Sequence, residues 1–278
     1  MKCYRIHAYR SLILSLAFYI PTTVYAGNIQ QYCNATDYEA IAKYLGEPVA
    51  GLVPRLIDAA CSPAPQKIGS RILVAALPRD QQSHDPDFPS NDLIILVLNG
   101  NGRILASDRS DTGEDAGLRL ERGSIRIDLA PYNVSDEIRL FGIDLTSGHI
   151  WHCVDGGYGA IRTLYRVNGR KIESVLPELF VTEWVFIHEP YGRCNGNEKS
   201  GDLAVVEEFN KTISISKERS NGFSDLIIRG ASRLRYIPLQ GKEYFRNSKR
   251  SSFEFHLHFD GRKYNTKEFK TNWGRWRS

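Results

Sequence analysis

The chain has 278 residues, 42% of them hydrophobic, and a formal net charge of +4, which is length enough for one large or two small domains with a real core. Residues 1–26 hold three basic side chains and no acidic one, so without them the formal +4 falls to +1, and bulk basicity belongs mostly to export. No Cys-x-x-Cys is present, which leaves a thioredoxin-like redox site and a zinc ribbon unsupported.

In chain order, Lys2, Arg5 and Arg10 precede the apolar run SLILSLAFYI and then PTTVYA, which ends in small residues. This is the pattern of a secretory signal, with cleavage expected after Ala26. The apolar run is well short of the roughly 20 residues that a bilayer requires, and Pro21 interrupts it. No later segment is long and apolar enough to span, so the mature chain is expected in the periplasm or outside the cell. Cys3 leaves with the signal; Cys33, Cys61, Cys153 and Cys194 remain. An even number in an oxidising compartment predicts two disulfides, with three connectivities open. Cys33 to Cys61 and Cys153 to Cys194 are preferred, because each pair lies within one sequence neighbourhood. On the loop-entropy account each bridge stabilises by roughly 3 to 4 kcal/mol.

Residues 34–60 read as helical. Asn34 or Thr36 can cap, Asp37 and Glu39 suit the first turn, and Tyr38, Ile41, Ala42 and Leu45 fall on one face. Gly46, Glu47 and Pro48 break the pattern, and a second helix is expected over residues 51–60, with Leu52, Val53, Leu56 and Ile57 facing a core. The domain plan is a disulfide-closed helical segment over residues 27–62, a proline-punctuated linker at 63–67, and a β-rich domain over 68–278 with a candidate break at 195–202.

Beyond the linker the periodicity is β. Residues 71–77 and 92–98 are strands, and DLIILVL in the second is nearly continuous in apolar residues, as expected of a strand covered on both faces. Ile125, Ile127 and Leu129 alternate with polar residues, as in a strand with one wet face. LVLNGNGRILA, LYRVNGRKIES and LHFDGRKYNTK each contain an apolar strand, a glycine turn, an arginine and a return strand. Such Asn-Gly and Asp-Gly pairs mark tight hairpins. The glycines are unequally spaced, which fits hairpins packed into sheets better than a regular solenoid. The expected fold is therefore mainly β, an antiparallel sandwich or open barrel built from hairpins and preceded by a small helical hairpin.

The pairing of SNGFSDLIIRG with FHLHFDGRKYN resembles a motif near the ends of exported bacterial proteins of unknown role. More distantly, the Gly-x-x-Asp-Leu strand opening resembles the integrin-type propeller repeats (FG-GAP), over roughly a quarter of the chain. Those repeats carry a calcium loop of closely spaced acidic residues. Here Asn221 and Asp225 stand near the matching place.

Several side-chain groups suggest chemistry. His149 and His152 beside Cys153 are potential zinc ligands, although no H-E-x-x-H is present and an oxidised Cys153 cannot ligate. His256 and His258 sit two apart in a strand, so they share one face, while Phe253, Phe255, Leu257 and Phe259 share the other. They are the candidate metal pair, with a plain wet sheet face as the simpler reading. Paired carboxylates, Glu207-Glu208 and Asp136-Glu137, suit acid–base work on a glycan only if they converge in space. Asp108, Asp111, Glu114 and Asp115 offer several carboxylate oxygens of the kind calcium takes, although they lack the order of an EF-hand, and a solvated acidic loop is the simpler reading. Ser147 is a turn residue, no nucleophile motif is present, and no cofactor is indicated.

Charge is divided unevenly along the chain. Residues 217–278 contain 15 basic and 6 acidic residues, whereas residues 27–216 contain 18 and 26. The basic end is interleaved with Tyr244, Trp273 and Trp276 and carries Arg275 and Arg277, a composition suited to an anionic protein or cell-envelope surface. Nucleic acid fits the charge but not an exported protein. Mutual neutralisation of the two halves is the competing reading. The expected function is a non-enzymatic binding module of the envelope, of inhibitor or immunity type, and the alternative is a metal-dependent periplasmic hydrolase.

Overall fold

A computed structural model describes residues 31–65, 69–79, 90–114, 118–147, 156–188, 203–238, 242, 244–247 and 252–266. It opens with helix α1 (Ala35–Leu45), whose N-cap Asn34 accepts from the Asp37 amide while the Asp37 carboxylate accepts from the Asn34 amide. This reciprocal capping satisfies two of the orphan donors of the first turn. Gly46 ends the helix in a left-handed conformation with φ 74°.

The expected second helix is shorter than its periodicity implies. Helix α2 (Val49–Leu52) makes one turn, Val53–Arg55 continues as a 3₁₀ turn, and the chain then enters strand β1 (Asp58–Pro63). Pro54 accounts for the stop, since its ring clashes with the carbonyl four residues back and it has no amide to donate. Residues 58–63 obey a ladder rather than a helical face, each pairing with a residue of β2 (Arg71–Pro78). Cys61 therefore lies on a strand, and its bridge to Cys33 ties the helix to the sheet.

Eight strands form the first sheet: β1, β2, β3 (Ser90–Leu98), β4 (Ile104–Gly113), β5 (Ile125–Asn133), β6 (Arg139–Leu145), β8 (Ile161–Asn168) and β9 (Lys171–Phe180). Their order is β1-β2-β3-β4-β9-β8-β6-β5, antiparallel except where Ser107 of β4 meets Lys171 of β9 in parallel. The sheet curls until β1 and β5 approach, and side chains bridge the seam. The Gln31 amide both donates to the Ile127 carbonyl and accepts from the Ile127 amide, at 2.6 and 2.7 Å, and Asp58 Oδ2 accepts from the Ile125 amide at 2.7 Å. Gln31 in turn receives the Cys61 amide on its own carbonyl. Gln31 and Asp58 thus do the work of a missing strand, satisfying edge groups that are costly to bury unpaired.

The barrel-like interior follows from strand alternation. Ile72, Val74 and Ala76 of β2, Leu93, Ile95 and Val97 of β3, and Phe141 and Ile143 of β6 point inward with Ile125 and Ile127. The intervening residues Leu73, Ala75 and Leu77, with Ile94, Leu96 and Leu98, lie beneath Ile41 of α1 and Leu52. This explains the unbroken apolar run of β3, which is covered on both faces.

A second sheet takes β7 (Gly156–Tyr158) from the middle of the first sheet's sequence and adds β10 (Thr182–His188), β11 (Leu203–Ser220), β12 (Phe223–Pro238), β13 (Tyr244–Asn247) and β14 (Phe253–Leu257). Its order is β13-β12-β11-β10-β7, and β14 shares the outer edge of β12 with β13. Phe223, Leu226 and Ile228 of β12, with Leu257 and Phe259, pack against Leu140, Leu164, Val175 and Leu176 of the first sheet. The fold is mainly β, as the sequence implies. No helix among the described residues is long and apolar enough to cross a membrane.

Candidate functional site

The second sheet is organised by its long central hairpin. Asn221 and Gly222 form the two-residue turn between Ser220 and Phe223, both with positive φ (49° and 87°), the geometry of a type I′ turn. Downstream, alternation along β12 puts Arg233 and Arg235 on one face, where Glu208 of β11 lies opposite Arg233 and Phe245 of β13 opposite Arg235. Trp184 of β10 lies opposite Glu208 on the same face. Its ring covers Gly157 of β7, where a Cβ would stand only 2.8 Å from the indole, so the ring needs glycine beneath it.

These side chains form a graded row. Trp184 meets Phe186 edge to face at 5.4 Å between centroids. Glu208 lies 2.8 Å from Arg233 and 2.9 Å from Arg235, so two guanidinium groups share one carboxylate. The Arg233 guanidinium also sits 4.3 Å from the Phe245 ring centroid, within cation–π range. Arg233 is 50% exposed and Phe245 51% exposed, so both present themselves to solvent. The reverse face of the same strands is buried: Glu207 accepts from the Ser232 hydroxyl, and Lys211 pairs with Glu183 and donates to the Phe180 carbonyl. Glu207 and Glu208 therefore face opposite ways and do not form an acid–base pair.

A second group lies nearer the turn. His256 and His258 share one exposed face, as their spacing implies, while Leu257 and Phe259 are buried. His256 Nε2 is 3.0 Å from Glu254 Oε1, and Arg229 donates to the other oxygen of Glu254 at 2.6 Å. These bonds, from His256 first and Arg229 second, hold the Glu254 carboxyl below the usual range. His258 Nδ1 lies 2.8 Å from Asp225 Oδ2, and the Ser220 hydroxyl is 3.5 Å from the same nitrogen. Serine and aspartate on one ring nitrogen are not a nucleophilic triad, which needs them on opposite nitrogens. Asn221 donates to the Phe259 carbonyl at 2.7 Å and Asp225 faces His258, which accounts for both residues at the position of the propeller calcium loop.

The remaining candidates separate in space. Asp111 bonds Ser90 and lies 2.9 Å from Arg79, whereas Glu114 accepts from Asn91 and the Leu120 amide. Burial raises the pKa of Asp108 on its own strand position. Asp136 is exposed 3.6 Å from Arg219, and the Ser147 hydroxyl accepts from the Arg119 amide, a contact across 28 residues. Arg162 is held bidentate by Asp144 and reaches Asp128 at 2.6 Å, a largely buried cluster in which one guanidinium meets two carboxylates. Among the described residues, one group of three His, Cys, Asp or Glu side chains comes close enough to share a metal, namely Cys33, Asp37 and Cys61, and its cysteines form the disulfide.

Tyr244 lies in β13, its backbone opposite Tyr236. Trp273, Arg275, Trp276 and Arg277, His149 and His152, Asp115, and the proposed Cys153–Cys194 bridge lie outside the described residues, as does the break at 195–202. Sequence reading missed Trp184, Arg233, Arg235 and Phe245. The alternating arginines of SRLRY were the available signal, since residues two apart share a strand face. Comparison with protein-family models, curated proteins and solved structures found no match.

Proposed function

We infer that this is an exported, non-enzymatic binding protein of the cell envelope, which uses the Trp184–Phe245 face of its second sheet to engage an acidic patch on a partner protein. The observation that carries this reading is the pairing of Arg233 with Phe245, two half-exposed side chains stacked on each other beside a carboxylate already gripped by two arginines. Arginine and aromatic side chains supply most hot spots in protein interfaces, because they bring large contact area and directional donors together. The holding of Glu208 between Arg233 and Arg235 supports a face suited to a carboxylate, and the basic excess of residues 217–278 has the same polarity. The signal-like N-terminus and the Cys33–Cys61 bridge support an oxidising compartment.

The test is capture of a partner from periplasmic extract by the purified mature chain, compared with an Arg233→Glu/Arg235→Glu double variant. The expected result is a protein retained at low salt, released at about 0.5 M salt, where screening is strong, and not retained by the variant. Retention that ignores both salt and the charge reversals rejects the reading. Retention by lipopolysaccharide vesicles in place of any protein replaces the partner class.

A further inference from the structure

Asp225 is an unusual buried carboxylate. Its side chain is only 2% exposed, yet the one hydrogen-bond partner placed on it is an imidazole, His258, whose own side chain is 62% exposed. Its other oxygen, Oδ1, is buried with no hydrogen-bond partner among the described residues. Among other buried acids, Asp58 accepts from the Ile125 amide and Glu207 from the Ser232 hydroxyl, and four meet a cation. Asp37 meets Arg71, Asp92 meets Arg79 and Arg109, Asp144 meets Arg162, and Glu183 meets Lys211. Burying a carboxylate without such a cation is costly, and a single aspartate that orients a surface histidine is a poor structural return for that cost.

The arrangement makes sense as support for a metal ligand. A histidine that ligates through one nitrogen characteristically gives the other ring N–H to a carboxylate, which fixes the tautomer and strengthens the ligating nitrogen. Asp225 Oδ2 lies 2.8 Å from His258 Nδ1, and an ionised Asp225 can only accept, so the favoured tautomer carries its proton on Nδ1 and leaves Nε2 of this exposed ring as the acceptor. His256, 40% exposed, lies two residues away on the same face, about 6.5 Å along an extended chain. Two exposed imidazoles at that spacing can turn their rings onto one ion at about 2 Å from each nitrogen. Glu254 is engaged by Arg229 through one oxygen and by His256 Nε2 through the other, so His256 offers Nδ1 to the ion and the set consists of the two imidazoles, with solvent completing the shell.

We propose that His256 and His258, positioned by the buried Asp225, form a surface site for a divalent transition metal of the Cu²⁺ and Zn²⁺ class, on the same outer face as Arg233 and Phe245 but nearer the hairpin turn. Imidazole nitrogen selects these ions over Mg²⁺ and Ca²⁺, and Cu²⁺ binds more tightly than Zn²⁺.

The experiment is titration of the purified mature chain with Cu²⁺ and with Zn²⁺, read by calorimetry and, for Cu²⁺, by nitrogen hyperfine structure in electron paramagnetic resonance. One ion per chain is expected, with two nitrogen ligands. Binding is lost in His256→Ala and in His258→Ala and retained in a His149→Ala/His152→Ala control. Asp225→Asn, if folded by circular dichroism, weakens binding by about 10- to 100-fold. If that variant does not fold, the two-nitrogen signature of the unaltered chain still decides the ligand set. Binding that survives both single histidine variants, or that disappears in the control, overturns the site. A folded Asp225→Asn variant with unchanged affinity overturns the positioning role.

Discussion

The two sheets handle their surfaces in opposite ways. In the first, β2 and β3 are apolar on both faces, one filling the curled interior and the other lying under α1, and the charged residues close by are paired at the ends of strands. In the second, one face is buried against the first sheet while the other displays arginine, aromatic and histidine side chains. The comparison teaches that a strand covered twice can only be scaffold, whereas a strand covered once has a face to spend on recognition. On the proposed reading, the first sheet is the scaffold and the second supplies the face that meets a partner.

Core truncation breaks the comparison most sharply. Ile95→Ala empties part of the curled interior and is expected to cost about 2 to 5 kcal/mol of unfolding free energy, by denaturant titration. Phe245→Ala, by contrast, is expected to stay within about 0.5 kcal/mol of the parent while abolishing partner capture. If Phe245→Ala proves as destabilising as Ile95→Ala, the division between scaffold and recognition face fails. Next in size, replacing Cys33 and Cys61 with Ala removes a bridge across 28 residues and is expected to cost about 2 to 4 kcal/mol.

The seam gives a smaller effect within the scaffold itself. Gln31→Ala leaves the Ile127 amide and carbonyl without their partner and is expected to cost about 1 to 3 kcal/mol. Hydrogen exchange at Ile127 then quickens more than at Ile95, and equal protection at both positions would show that the seam closes without Gln31.

The smallest effect concerns pH at the turn of residues 260–263. The amides of Lys263 first and Arg262 second donate to Asp260 and hold its carboxyl below the usual value of 3.8. A carboxyl lowered by folding stabilises above its unfolded pKa, and that contribution is lost as pH falls through the folded value. The melting difference between the parent and Asp260→Asn should therefore be present at about pH 6 and vanish at about pH 2. A difference that persists into acid contradicts the assignment.

Local structure was the most legible part of the sequence. Asn99 caps the turn into β4 and Asp260 caps its own turn, because each depends on contacts within a few residues, whereas the expected Asn168-Gly169 turn is displaced by one residue: Asn168 still pairs with Lys171, and Gly169 (φ 61°) and Arg170 carry the chain from β8 to β9. The double coverage of β3 was readable from its unbroken apolar run. Neighbour relations were not: the parallel contact of β4 with β9 and the placement of β7 in the other sheet are set by long-range packing that no local pattern encodes. The same limit hid the functional features. His256 and His258 were visible as a pair, but Asp225 lies 33 residues away from His258 and reaches it only through the ladder of β12 with β14. Glu207-Glu208 looked like a pair in sequence and was separated by the strand alternation that brought Glu208 to Arg233.

Two exposed apolar side chains offer a matched test of which region meets a partner. Val53, beside the helices on the scaffold, is 50% exposed, and Phe245, on the recognition face, is 51% exposed. A photoreactive residue placed at each position in turn, activated in living cells, reports what lies against it. The account predicts a discrete protein adduct from position 245 and none from position 53. Adducts from position 53 with none from 245 would contradict it.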